Sequence, residues 1–410
     1  MMSNAFDVLT ERGFVEQVSD AEGLRSAVER PITCYVGFDP SASSFHVGNL
    51  VPIMALAHMQ RHGHRIIAVI GGGTGVVGDP SGKTEMRRLL PLEQVDANVE
   101  ALKAQMAHLL DFSEGRGLMF NNADWLRTLN YVQFLRSTGV HFSVNRMLAA
   151  ETYRTRYDSE EGLNFLEFNY MLLQAYDFLH LYRTQGCVLQ MGGNDQWGNI
   201  LAGADLIRRV EGGQAYAATF PLVTTSSGAK MGKSEKGAVW LDPQRVSPYE
   251  YYQYWINTED ADVERFLGLF TFLPMDRVRE LSRLTGAELR QAKEVLAFEA
   301  THILHGEAAA HQAQEASRQL FGKGTATEAV PTTELDRAEL EAGIPAPDLF
   351  LRVGLCASRS EARRLIQQGG AHVNDVPVGS VDEVITARHL AEDALLLRAG
   401  KKRYHRVAVK

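Results

Sequence analysis

The sequence predicts an α/β chain in parts: a parallel-sheet domain covered by helices over residues 1–246, an α-helical domain over 247–322, a linker over 323–348 and a small α+β domain over 349–410. Three observations carry that division. Apolar runs of strand length alternate with stretches of helical period through the first part, the pattern of a parallel sheet with helices on both faces. Strand signals stop at about Ser247, and "SPYEYYQYWINTEDADVERFLGLFTF" opens a stretch of helical period. Between 323 and 348 Ala, Thr, Glu and Pro dominate and large apolar residues are scarce, which suits a linker with room for one weak helical turn.

Within the first part, "ITCYVGF" (32–38) reads as a buried strand, followed by the turn "DPSASSF" and a helix from about His46 to Arg61. "RIIAVIGG" is a second strand. Pro91 opens the helix "PLEQVDANVEALKAQMAHLL", where its missing N–H would be unpaired in any case. "GLMFNN" is a third strand, and "TLNYVQFLRSTG" a helix stopped by Gly139. A long helix from about Leu163 to Thr184 precedes the strand "CVLQMGG" and the helix "NDQWGNILAGADLIRRV". Ligands of such sheets bind at the carboxyl ends of the strands. There stand the polar clusters "GFDPS", "GGGTGVVGDPSGK", "FNNADW" and "QMGGNDQW".

The bulk numbers narrow the class. With 410 residues, 45% hydrophobic and 22% charged, the chain can bury a sizeable interior in two or three domains. A net charge of −8 argues against a general coat of nucleic-acid affinity and leaves a local basic patch open. Cys34, Cys187 and Cys356 are odd in number and far apart, which disfavours a disulfide framework or a zinc site and fits a cytoplasmic protein. The N-terminal stretch has no basic start before an apolar block, so no secretory signal is expected there. No apolar run approaches the ~20 residues that span a bilayer, so no membrane partner is expected.

Three motifs carry chemistry. "GGGTGVVGDPSGKTE" (71–85) suggests a P-loop, but only three residues separate Gly78 from Gly82 where four are needed, and Val77 occupies the alternative position. A tight strand-to-helix turn is the plain alternative. "HVGN" places His46, Gly48 and Asn49 on the first turn of a helix, whose unpaired N–H groups attract phosphate; simple helix capping by His46 is the competing reading. "KMGKS" puts Lys230, Lys233 and Ser234 in a Gly- and Ser-rich loop able to close over a polyphosphate, against the plain reading of an exposed basic turn.

Taken in order, these motifs make the chain resemble the class I aminoacyl-tRNA synthetases, and among them the bacterial tyrosyl-tRNA synthetases. "HVGN" is similar to the family's HIGH signature and "KMGKS" to KMSKS; "GDPSGK", "NNADW", "YMLLQAYDFLHLY" and "GGNDQWGN" follow the family order. The C-terminal "LFLRVGLCASRSEARRLIQQGGAHVND" resembles a small RNA-binding domain shared with a ribosomal protein. The resemblance implies a Rossmann-like catalytic domain, an anticodon-stem-binding helical domain, and activation of L-tyrosine by ATP, with Mg2+ bound through ATP and no resident metal. Transfer to tRNA(Tyr) by a homodimer follows, with Phe165 in "LNFLEF" on the dimer surface.

The resemblance also implies roles for residues. Asp79, Tyr170 and Gln174 would bind the amino acid's ammonium. Tyr35 and Asp177 would hold its phenol, and Gln190 would position it. Tyr170, Gln174 and Asp177 share one helix face at i, i+4 and i+7. Asp39, Gly48, Asn49, Asp195 and Gln196, with Lys230 and Lys233, would surround ATP. His46 and Ser41 would contact the γ-phosphate. Lys83, Arg87, Lys230, Lys233 and Ser234 would meet the pyrophosphate. Arg359, Arg363 and Arg364 would face RNA. Ser41 replaces a frequent Thr, Asn49 the second His of HIGH, Gly232 the inner Ser of KMSKS, and Val36 a Cys of some members. The nearest rival is a tryptophanyl enzyme, which shares the class signatures; a noncatalytic RNA-binding relative and a generic nucleotide-binding module are the others.

Overall fold

The computed structural model describes residues 4–81, 90–160, 162–228, 231–234, 237–321, 331–391, 394–400 and 403–410. Six strands form the main sheet: β1 (Gln17–Val18), β2 (Thr33–Phe38), β3 (Arg65–Ile70), β4 (Gly117–Asn121), β5 (Cys187–Gly193) and β6 (Tyr216–Phe220), in the spatial order β1-β6-β5-β2-β3-β4. Five of them run parallel; β1 is an antiparallel edge, with Gln17 opposite Thr219. The sequence pattern predicts no strand at β1 or β6.

Strand alternation sorts the central residues onto two faces. Tyr35, Ile67 and Val69 pack against Ala175, Phe178, Leu179, Leu206 and Ile207 of the helices Tyr170–Gln185 and Trp197–Glu211. The opposite face meets the Leu50–Arg61 helix, whose residues from Leu50 to Met59 are nearly all buried. That helix also meets the Val263–Phe270 helix. Arg12 fastens the latter's end: its Nη1 donates to the carbonyls of Gly268 (3.0 Å) and Thr271 (2.9 Å), orphan acceptors at a helix C-terminus.

Two helices start differently from expectation. The run 163–184 divides into Phe165–Phe168, opened by a reciprocal cap of Asn164 and Glu167, and Tyr170–Gln185, where the Met171 N–H donates to the Tyr153 hydroxyl. The helix expected from His46 begins with a 3-10 turn, Val47–Asn49, before Leu50.

By internal contacts the chain forms two compact units, Met1–Val246 with Tyr254–Leu304, and Ser247–Gln253 with His305–Lys410. The expected helical domain over 247–322 is therefore divided between them. In the first unit, Trp255 is fully buried against Phe266 and Phe270. In the second, a five-stranded sheet has the order β12-β11-β14-β15-β9, from β9 (Thr332–Leu335), β11 (Ala371–Val373), β12 (Val376–Pro377), β14 (Ala394–Ala399) and β15 (Arg403–Val409). β10 (Ile344–Pro345) and β13 (Val384–Ile385) pair separately. The segment expected as a linker thus contributes an edge strand, β9, parallel to β15, and a helix, Arg337–Ala342, capped by Asp336. Its apolar residues are few, but Leu335 and Leu340 are buried in one core with Leu349, Phe350 and Leu397.

Candidate active site

The chain runs from β2 to β3 and β4 on one side, then returns to place β5 on the other side of β2. A doubly wound sheet opens a crevice at such a reversal, outside the carboxyl ends of the strands. Here it lies between β2 and β5. Tyr35 of β2 stands in register with Gln190 of β5. Both are almost fully buried, and neither the Tyr35 hydroxyl nor the Gln190 Oε1 has a hydrogen-bond partner among the described residues. Burial, and then the charge of nearby Asp177, push the Tyr35 phenol well above its ordinary range. A buried hydroxyl without a partner is costly, which makes this one a candidate contact for a polar ligand atom.

Asp177 comes from the Tyr170–Gln185 helix and is 4% exposed. Each of its oxygens is already held: Trp125 Nε1 donates to Oδ1 at 2.7 Å and Asn122 Nδ2 donates to Oδ2 at 2.9 Å. Burial raises its pKa to about 7, the two donors oppose that rise, and Asp39 adds to it. Both donors follow the carboxyl end of β4 in "FNNADW". The sequence places that cluster at a strand end and assigns its residues no role. Asn122 Oδ1 also accepts the Gly73 N–H at 2.7 Å, which ties the glycine-rich loop to the same carboxylate.

Over its described residues, 71–81, the loop after β3 turns several backbone donors on itself: Gly75 N–H donates to Gly71, and Val77 and Gly78 N–H both donate to the Thr74 carbonyl. Gly78 takes φ +84°, which a glycine adopts freely. The loop delivers Asp79, buried, with Oδ1 accepting from Ser81 N–H (2.9 Å) and Oδ2 from Gln196 Nε2 (2.5 Å). Asn199 Nδ2 lies 3.1 Å from Gln174 Oε1, 3.3 Å from Gln196 Oε1 and 3.3 Å from Ser81 Oγ. Asp79, Gln174 and Gln196 are thereby brought into one network through Asn199, a residue with no role assigned from the sequence. Tyr170 donates to Asp39 Oδ1 at 3.2 Å, joining that helix to the end of β2.

At the end of β5, Asn194 Oδ1 accepts from Gln17 Nε2 (2.6 Å) and Thr219 Oγ1 (2.9 Å). The two unexpected strands, β1 and β6, thus hold the turn that carries the half-buried Asp195 and Gln196. On the β2 side, His46 caps its helix: Nδ1 accepts the Gly48 N–H (3.0 Å), and Asn49 Oδ1 accepts the His46 N–H (3.0 Å). An accepting Nδ1 leaves the proton of the neutral ring on Nε2, which is then a donor. Ser41 is exposed on the turn before it.

The "KMGKS" segment lies against this turn. Val47 N–H donates to Val239, and Val239 N–H donates to Gly232. Gly232 has φ +82°, and a Cβ there would stand 2.8 Å from the Gly48 nitrogen. The Gly that departs from KMSKS therefore occupies a position that is left-handed and crowded at once. Lys233 and Ser234 form a short strand, β7, paired with β8 (Gly237–Ala238); Lys83, Arg87 and Lys230 lie outside the described residues. In the second unit, Arg359, Arg363 and Arg364 are exposed on one helix, and Arg359 is paired with Asp348 at 2.8 Å. No cluster of three His, Cys, Asp or Glu able to hold a metal occurs among the described residues. No helix among them is long and apolar enough to cross a membrane.

Comparison with known proteins places this geometry. Residues 27–322 match the family described as tRNA synthetases class I (W and Y), and residues 324–407 match the tyrosine--tRNA ligase SYY-like C-terminal domain. The chain is 56% identical to the tyrosine--tRNA ligase of Desulfatibacillum aliphaticivorans, over 100% of this chain and 99% of that one. It is 58% identical to that of Desulfosudis oleivorans, over 98% of each. Among solved structures, the C-terminally truncated mitochondrial tyrosyl-tRNA synthetase of Aspergillus nidulans matches with a TM-score of 0.71 and 30% identity, over 78% of this chain and 94% of that one. By these matches the chain belongs to the class I tRNA synthetases, in the tyrosine--tRNA ligase family.

Proposed function

We infer that the chain activates L-tyrosine with ATP, releasing pyrophosphate, and transfers the tyrosyl group to the 3′ end of tRNA(Tyr). The observation that carries the amino-acid assignment is the buried pair at the floor of the crevice. Asp177 has one donor fixed on each oxygen, and the Tyr35 hydroxyl is unpaired. A ligand phenol can donate to that carboxylate and accept from that hydroxyl. An unsubstituted phenyl ring would leave both groups buried without it. Tyrosyl-tRNA synthetases are themselves the known example of such discrimination, which reaches about 10⁵ against phenylalanine.

The remaining roles follow from charge and position. Asp79, Tyr170 and Gln174 receive the ammonium, and Gln190 steadies the amino acid near its carboxylate. Asp39, Gly48, Asn49, Asp195 and Gln196 surround ATP, whose Mg2+ arrives with its phosphates. The carboxylate attacks the α-phosphorus in line; it is already ionised, so this step needs no general base, and catalysis rests on positioning and charge stabilisation. His46 Nε2–H and the Ser41 hydroxyl meet the γ-phosphate, and Lys83, Arg87, Lys230, Lys233 and Ser234 offset the charge of the leaving pyrophosphate. A terminal ribose hydroxyl of the tRNA then attacks the acyl carbonyl and displaces AMP.

On the RNA side, the 247–322 segment meets the anticodon stem, and the exposed Arg363 and Arg364, with Arg359, meet phosphate. Large exposed apolar side chains concentrate between 131 and 166, among them Tyr131, Val132, Val140, Val144, Phe165 and Leu166, which supports a symmetric homodimer closing over them. The protein works in the cytoplasm. Charging of tRNA(Tyr) with labelled tyrosine tests the whole reading: acid-stable transfer of label to the tRNA is expected. Adenylate formation with no transfer would remove the second step.

A further inference from the structure

The helix carrying Tyr170, Gln174 and Asp177 begins without a cap of its own. Its N-cap residue, Asn169, makes no side-chain capping bond; its Nδ2 donates instead to the Phe165 carbonyl at 2.7 Å. An uncapped first turn leaves backbone N–H groups without partners. One of them is supplied from outside. Met171 N–H donates to the hydroxyl of Tyr153 at 3.0 Å, and that hydroxyl donates to the Phe168 carbonyl at 3.0 Å. Tyr153 is fully buried, and its ring packs on Phe168 with centroids 5.5 Å apart. A single phenol oxygen therefore grips the backbone on both sides of Tyr170.

The segment bearing Tyr153 is itself anchored. Arg156, one turn further along the same Glu151–Tyr157 helix, forms an ion pair with Glu167 at 3.1 Å, both side chains being almost wholly buried. Glu167 also closes the cap on Asn164. The two ties leave the Tyr153 hydroxyl with fixed direction, as a cap must have. They set the position of the Tyr170 backbone, and the Tyr170 hydroxyl reaches Asp39 at the end of β2.

We propose that Tyr153 is a positioning residue for tyrosine activation: a cap supplied by another helix that places Tyr170 for the amino acid's ammonium. This rests on the role given to Tyr170 above. It predicts a larger effect on the amino acid than on ATP, because Tyr170 meets the ATP side at Asp39, while the other ATP-side residues hang from β5 and the His46 turn.

The test is Tyr153→Phe in the full-length protein, which keeps the ring and its packing and removes only the oxygen. In ATP–pyrophosphate exchange the KM for tyrosine should rise roughly three- to tenfold, the ratio expected for one lost hydrogen bond, with the KM for ATP within about twofold. Tyr170→Phe alone should raise the same KM, and adding Tyr153→Phe to it should change little further, since the positioned group is already gone. An effect of Tyr170→Phe with none of Tyr153→Phe would overturn the inference while leaving the reading of the pocket intact. Additive effects, equal rises in both KM values, or a lower melting temperature with both KM values unchanged would reduce Tyr153 to a packing residue. No effect of Tyr170→Phe would overturn the role of Tyr170, and the inference with it.

Discussion

Replacing Trp125 with Phe should turn the tyrosine pocket into a pH-sensitive one. The substitution removes the indole N–H that donates to Asp177 Oδ1 at 2.7 Å and keeps most of the aromatic packing against Phe120. Asp177 already sits at a pKa of about 7, because burial raises it more than its two donors lower it. A hydrogen bond to a charged group contributes about 1.5–3 kcal/mol, so its loss moves the pKa up to roughly 8–9. The form that accepts a phenol proton is the carboxylate, so tyrosine affinity rises as pH rises through that value. At pH ~7.5 the ionised fraction would fall from roughly three quarters to between about a quarter and a few per cent, raising the KM for tyrosine roughly 3- to 25-fold. The assay is ATP–pyrophosphate exchange with tyrosine titrated between pH ~6 and pH ~8 in both proteins. The KM should fall with rising pH in each, with the variant's curve displaced to higher pH. A loss that is the same at every pH would mean that Trp125 acts through shape alone and would refute the electrostatic argument.

Three further outcomes are expected. His46→Ala should slow adenylate formation roughly 10²-fold, the usual loss for one donor to developing charge, while tyrosine binding stays within about twofold; equal losses in both would end that assignment. Gly232→Ser puts a side chain at φ +82° and against Gly48, at about 1–2 kcal/mol for the backbone alone. Exchange should slow roughly 5- to 30-fold, and an unchanged rate would show that this packing is not used in the reaction. His58, between Phe14 and Phe272, is pushed down to about 3 by burial first and then by Arg12, His62 and Arg61. Because the unfolded chain protonates it near pH ~6.5, stability present above that pH is lost as pH falls toward the folded value. His58→Phe should flatten the fall in melting temperature between pH ~7 and pH ~4; parallel curves would locate the acid sensitivity elsewhere.

The central strands were legible because β2, β3 and β5 are apolar runs ending in polar clusters, the imprint of a sheet buried on both faces. β1 and β6 were not. Gln17–Val18 is two residues long, and "YAATF" follows a helix with no turn signal beyond glycine. Their place is set by tertiary pairing, and their use, holding Asn194, follows from it. The edge strand β9 of the C-terminal sheet hid in a segment with the composition of a linker because it needs one buried leucine, Leu335, and borrows the rest of its core from distant strands. The site showed the same division. Side chains that face a ligand, such as Asp79, Tyr170 and Asp177, stand in recognisable motifs. Those that hold them, Asn122, Trp125, Asn199 and Tyr153, make bonds across as much as 118 residues of chain, as between Ser81 and Asn199, with Met171–Tyr153 spanning 18 and Asn122–Asp177 spanning 55. No local spacing announces such a pair. The break at Asn169 was equally silent, since "FLEFNYMLLQ" has unbroken helical period and the group that takes the Met171 N–H, the Tyr153 hydroxyl, lies outside it.

The central claim is that the Tyr35–Asp177 floor reads a phenol. ATP–pyrophosphate exchange, run on the purified protein with tyrosine, phenylalanine and tryptophan each as the only amino acid, tests it most directly. Exchange with tyrosine and essentially none with the other two is the predicted result. Exchange with tryptophan, or comparable rates with tyrosine and phenylalanine, would contradict it.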